Sequence, residues 1–214
     1  MLNFPASALL IIDVQNDFCP GGALAVDKGG EVIQPLNRLA SLFAAKSGRV
    51  VATQDWHPAG HISFASSHAG KKPGDTVDLP GLGGQILWPD HCVQGSAEAE
   101  LHPALDLKPI NLIIRKGFRL GLDSFSAFFE NDRKTSTGLD GFLKSLSIDT
   151  LVLGGLATDY CVLYSALDAA ALGYKTFVAG DAVRGVGIPE GSVQRALASL
   201  ADAGVIIAES GDFA

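Results

Sequence analysis

Cysteine is scarce. Three residues in 214 (Cys19, Cys92 and Cys161) are an odd set, too small for a disulfide framework, and point to a reducing compartment. Charge is thin as well, at 18% of residues, and basic residues are the scarcer kind. Sixteen Lys+Arg stand against 23 Asp+Glu, a formal net charge of −7, which argues against nucleic acid or an anionic membrane as partner. No uncharged segment reaches the length of a bilayer span; the longest candidate, 151–174, is broken by Asp159 and Asp168. The apolar run at 8–12 has no basic lead-in and stops at Asp13, so no export signal is read there. Internal repeats, linkers and low-complexity tracts are also missing. What is present, 47% hydrophobic residues, suffices for a sizeable core and excludes intrinsic disorder. The expectation is one domain, 1–214, in a soluble cytoplasmic protein. No heptad or isolated apolar stripe marks an interface, so a homo-oligomer stays open.

Short apolar runs at 8–12, 49–53, 111–114, 150–153, 175–179 and 204–208 are rich in β-branched residues and apolar on both faces. That is the pattern of parallel strands covered on both sides. Helical patterns alternate with them. Val32, Leu36, Leu39 and Phe43 fall on one face of a helix from about Glu31, with Pro35 tolerated in its first turn. Further helices are predicted at 139–146, 158–172 and 189–203. Strand and helix in alternation predict an α/β fold: a mainly parallel six-stranded sheet with helices on both faces. Two stretches, 56–109 and 117–138, have little periodicity and read as long functional loops.

Ligands of open α/β sheets bind beyond the carboxyl ends of the strands. Asp13 ends the first predicted strand, Asp55 follows the second, Lys116 follows the third and Cys161 lies just past the fourth. Singly, each has a plain explanation as a turn residue, a rim lysine or a small buried hydrophobe. Asp13, Lys116 and Cys161 together at one sheet edge make a nucleophile with an acid–base partner the better reading. Thr158 is read as the N-cap of the helix carrying Cys161, whose start, with a nearby lysine, favours a thiolate. Asp55, His57, His61 and His91 are sound ligands for zinc, iron or manganese, whereas His68 reads as a scattered loop histidine.

These residues lie in segments that together resemble the nicotinamidases of the isochorismatase-like hydrolases: DVQNDFCPGG (13–22), QDWHPAGH (54–61), LWPDHCVQ (87–94), RKGF (115–118), DSFSAF (123–128) and GLATDYCV (155–162). The resemblance covers essentially the whole chain. It implies hydrolysis of nicotinamide, and of pyrazinamide, to the acid and ammonia through a cysteine thioester, in NAD salvage. It carries over Asp13, Lys116 and Cys161 as the catalytic triad, and Asp55, His57, His61 and His91 as ligands of one divalent ion, zinc foremost. It further implies a non-proline cis peptide at Ala157–Thr158, beside backbone amides that hold the oxyanion. Phe18 and Trp88 become walls of the pocket, and Leu24 is a wall or ordinary core. The rivals are a cysteine amidase of the same superfamily acting on carbamoyl or ureido compounds, and a non-catalytic metal-binding module.

Overall fold

The computed structural model describes residues 2–214. Six strands form one sheet: β1 (Ser7–Ile12), β2 (Arg49–Asp55), β5 (Leu112–Lys116), β6 (Thr150–Leu156), β7 (Lys175–Arg184) and β8 (Ile206–Ala208). Their order is β5-β2-β1-β6-β7-β8, and every neighbouring pair is parallel. Four helices cover it: α1 (Ile33–Ala45), α2 (Leu139–Ser145), α3 (Leu163–Ala171) and α4 (Ser192–Asp202).

The lack of alternation in β1 has a direct cause. Leu9 and Ile11 join Val50, Ala52 and Val152 in one core, closed by Leu36, Leu39 and Phe43 of α1. Ala8, Leu10 and Ile12 join Val51, Leu151 and Leu153 in the other, closed by α2, α3 and α4 through Leu143, Ala166, Ala169 and Leu200. Successive strand residues point to opposite faces, so a strand sandwiched between two cores must be apolar throughout. At the sheet's edge β5 does alternate, and Ile113 is left exposed.

The 56–109 segment holds a feature the sequence reading missed. Strands β3 (Thr76–Leu79) and β4 (Gly83–Ile86) pair antiparallel as a separate hairpin. Glycine at 81, 83 and 84 and exposure along most of both strands erase the hydrophobic period that would have marked it. Among the described residues no helix is long and apolar enough to cross a membrane.

Candidate active site

Parallel strands deliver their carboxyl ends to one rim. Asp55 and Lys116, the last residues of β2 and β5, are paired neighbours there. Asp13 leaves β1 in the left-handed region, at φ 49°, and turns its carboxylate to the same point. The Lys116 ammonium lies 2.5 Å from Asp55 Oδ1 and 2.8 Å from Asp13 Oδ2, donates to the Ser124 carbonyl at 3.0 Å, and sits 3.4 Å from Cys161 Sγ. Asp13 and Lys116 are wholly buried. Asp13, Lys116 and Cys161, read from three strands, are therefore brought together.

Burial dominates the electrostatics. It raises the Asp13 carboxyl above its ordinary value, against the pull of Lys116. Burial alone would lower Lys116, but Asp13 and Asp55 together hold it firmly charged. The Cys161 thiol is pushed well up, first by burial, with Lys116 opposing and Asp13 adding to the rise. Burial thus works against the thiolate that a helix start and a lysine favour, and a carboxylate oxygen of Asp13 lies within 4.8 Å of the sulfur.

The second cluster faces this one across Asp55. Asp55, His57 and His91 are buried, and each offers a ligand atom within 4.8 Å of the other two. His57 Nδ1 donates to the Gly117 carbonyl at 2.8 Å, and His91 Nδ1 to the Pro89 carbonyl at 2.8 Å. Both rings are thereby held in the tautomer that leaves Nε2 as a lone-pair donor, the arrangement a histidine ligand needs. Gly117 is required for this. At φ 63°, a Cβ there would stand 2.5 Å from His57 Cε1. An Asp and neutral imidazoles fit a borderline divalent cation. His61 groups differently, with His57 and Asp123. Its ring stacks on His57 at 4.2 Å, and its nitrogens are engaged by Ser63 Oγ at 2.7 Å and the Leu122 carbonyl at 3.3 Å.

Between the clusters a pocket opens onto Cys161. Phe18, Leu24 and Trp88 line it, as do Phe125, Tyr160 and Val186. Trp88 meets Tyr160 edge-on at 4.9 Å.

Residues 7–212 match the isochorismatase domain family. The chain is 52% identical over 198 residues to a nicotinamidase of Acinetobacter baylyi, covering 92% of this chain and 90% of that protein. It is 48% identical to the solved nicotinamidase/pyrazinamidase of Acinetobacter baumanii, with a TM-score of 0.94 and coverage of 98% and 99%. The chain belongs to the isochorismatase family, among its nicotinamidases. A third family member, the pyrazinamidase of Pyrococcus horikoshii solved in complex with zinc, is 32% identical, with a TM-score of 0.79 over 96% of this chain and 99% of that one.

Two expectations for the Cys161 turn need correction. The non-proline cis bond is Leu156–Ala157, one residue before Ala157–Thr158. Leu156 is still paired with Arg184 in the sheet, so the chain changes course at the bond leaving the last paired residue. Thr158 is not an N-cap. Residues Thr158–Val162 form a wide π-turn whose cap is Ala157, without a side-chain bond, and α3 starts only at Leu163. The Ala157 carbonyl accepts from both Tyr160 and Val162 amides, which closes that wider turn. The sequence reading also missed Asp123, Phe125 and Tyr160. Asp123 and Phe125 stand in the DSFSAF segment and Tyr160 beside Cys161, so adjacency to a resembling motif was their only signal.

Proposed function

We propose that the chain hydrolyses nicotinamide, and pyrazinamide, to the carboxylate and ammonia, with Asp13, Lys116 and Cys161 as its catalytic residues and 1–214 as one domain. The observation that carries the reading is the buried meeting of Asp13 and Lys116 with Cys161, which itself lines an aromatic pocket that Asp55, His57 and His91 also line. Asp13 takes the thiol proton of Cys161, and the sulfur attacks the carboxamide carbon. Backbone amides of Cys161 and of the 157–158 segment hold the developing oxyanion. Asp13 returns the proton to the departing ammonia as the C–N bond breaks, leaving a thioester. Asp13 then deprotonates a water that attacks the thioester; the acid leaves and the sulfur regains its proton. Lys116 holds both carboxylates in place and offsets their charge.

Asp55, His57 and His91 would hold one divalent cation, zinc foremost with iron or manganese as alternatives, and His61, stacked on His57, would join them as fourth ligand by giving up its contact with the Leu122 carbonyl. Bound there, the cation supplies a Lewis-acid anchor for a ring nitrogen. Phe18 and Trp88 enclose the ring, with Leu24 beside them, so that the amide is presented to Cys161. Such a role suits NAD salvage in the cytoplasm, with a small-molecule substrate and neither nucleic acid nor membrane as partner. An amidase for ureido or carbamoyl compounds would have no use for the Asp-His set, and a non-catalytic metal module none for the buried thiol.

The deciding measurement is ammonia release from nicotinamide, pyrazinamide and benzamide. The two heteroaromatic amides should turn over, and benzamide, which offers no ring nitrogen, should fall about 100-fold or more in kcat/KM. Cys161→Ala should abolish turnover while keeping metal content. Benzamide matching nicotinamide, or an active Cys161→Ala, overturns the reading.

A further inference from the structure

The Asp13 carboxylate has two unequal oxygens. Oδ1 accepts a hydrogen bond from Thr53 Oγ1 at 2.5 Å. The same hydroxyl accepts from the Asp13 backbone amide at 3.1 Å. A hydroxyl has one proton. With the amide N–H aimed at the oxygen from one side, that proton is directed to Oδ1. Oδ2 is buried and faces the Lys116 ammonium at 2.8 Å, the same ammonium that lies 3.4 Å from Cys161 Sγ. Thr53 itself is wholly buried on β2, so no water competes for its hydroxyl. The charged and titratable groups facing Asp13 are Lys116 from β5, Asp55 from β2 and Cys161 from the turn after β6.

From this geometry we infer that Thr53 is a positioning residue that dedicates the two oxygens of Asp13: Oδ1 stays a permanent acceptor, and Oδ2 is the atom that receives the Cys161 proton. The S–H bond breaks, the O–H bond forms on Oδ2, and the electron pair stays on sulfur. Without the hydroxyl, the carboxyl rotates about its Cα–Cβ and Cβ–Cγ bonds, and the proton can be taken by an oxygen turned from the sulfur. The inference rests on the proposed thiol chemistry of this site, but not on which amide is the substrate.

Two pairs of chains isolate the hydroxyl: wild type against Thr53→Val, and Thr53→Ser against Thr53→Ala. The first readout needs no substrate. The rate at which iodoacetamide alkylates Cys161, followed by peptide mass, should fall about 10- to 100-fold in the Val and Ala chains. The Ser chain should recover most of the wild-type rate. The second readout is turnover: kcat on nicotinamide should fall in parallel, while KM and metal content stay within about twofold. Equal alkylation rates within each pair overturn the role of Thr53, as does a Ser chain as slow as the Ala chain, which would make the methyl group's packing the cause. If Thr53→Val fails to fold, the Ser and Ala pair decides. Should the wild type leave nicotinamide untouched, the substrate reading fails, and alkylation still decides for or against Thr53.

Discussion

Lys116 keeps its charge with no exposure to solvent, because two carboxylates, a backbone carbonyl and a sulfur surround its ammonium. Removing either carboxylate would leave a buried charge short of its partner, the costly half of any buried ion pair. Tyr160 shows the same logic in a phenol. Burial, with Asp159 and Tyr164 nearby, pushes it up to about 12, and its hydroxyl donates to the Ile188 carbonyl. Unfolded, the phenol ionises near its ordinary 10.0. Its folded value lies above that, so the stabilisation is complete below pH of about 10 and is lost as pH rises toward 12. Tyr160→Phe should therefore show a shallower fall in Tm across that alkaline window than the wild type, as calorimetry at stepped pH would read. Equal slopes would mean that the phenol is not the group responsible.

At the scale of elements, the strand ends were legible and the turns were not. Asp13, Asp55 and Lys116 could be placed because each closes an apolar β-branched run, and parallel strands bring such ends to one rim. The turn after β6 defeated the same reasoning. Thr158 looks like a cap in the sequence, but a π-turn differs from an α-helix by which carbonyl each amide reaches, and side-chain type scarcely encodes that. The hairpin was hidden because its glycines and exposed faces carry no period. The β5–loop junction, by contrast, makes a sharp prediction. Gly117→Ala places a methyl 2.5 Å from the His57 ring, at φ 63°, where an L side chain costs about 1–2 kcal/mol. The variant should lose metal affinity by more than its Tm falls, because in the proposed centre the displaced ring is a ligand, and it belongs to neither core. Retention of full metal content at wild-type affinity would contradict the assignment of His57.

Over the whole molecule, the buried centre has more negative than positive groups: Asp13 and Asp55 face the single ammonium of Lys116. A divalent cation bound at Asp55, His57 and His91, as proposed, would offset that excess, and because the folded chain brings the three together it would add to stability by mass action. Prolonged chelation should lower Tm, and added zinc should raise it again in a concentration-dependent way. A Tm indifferent to both would place the ion elsewhere.

The two-sided packing of β1 has a consequence for insertions and deletions. Leu9 and Ile11 fill one core while Ala8, Leu10 and Ile12 fill the other. Loss of one residue between Ser7 and Ile12 exchanges the two sets, and it also sends the Asp13 carboxylate to the opposite side of the sheet from Lys116. Point substitutions can erode stability and turnover separately. A length change in β1 cannot, since one backbone step governs both cores and the base. Lineages of this chain should therefore vary freely in loop length around the hairpin while the spacing from Ser7 to Asp13 stays fixed.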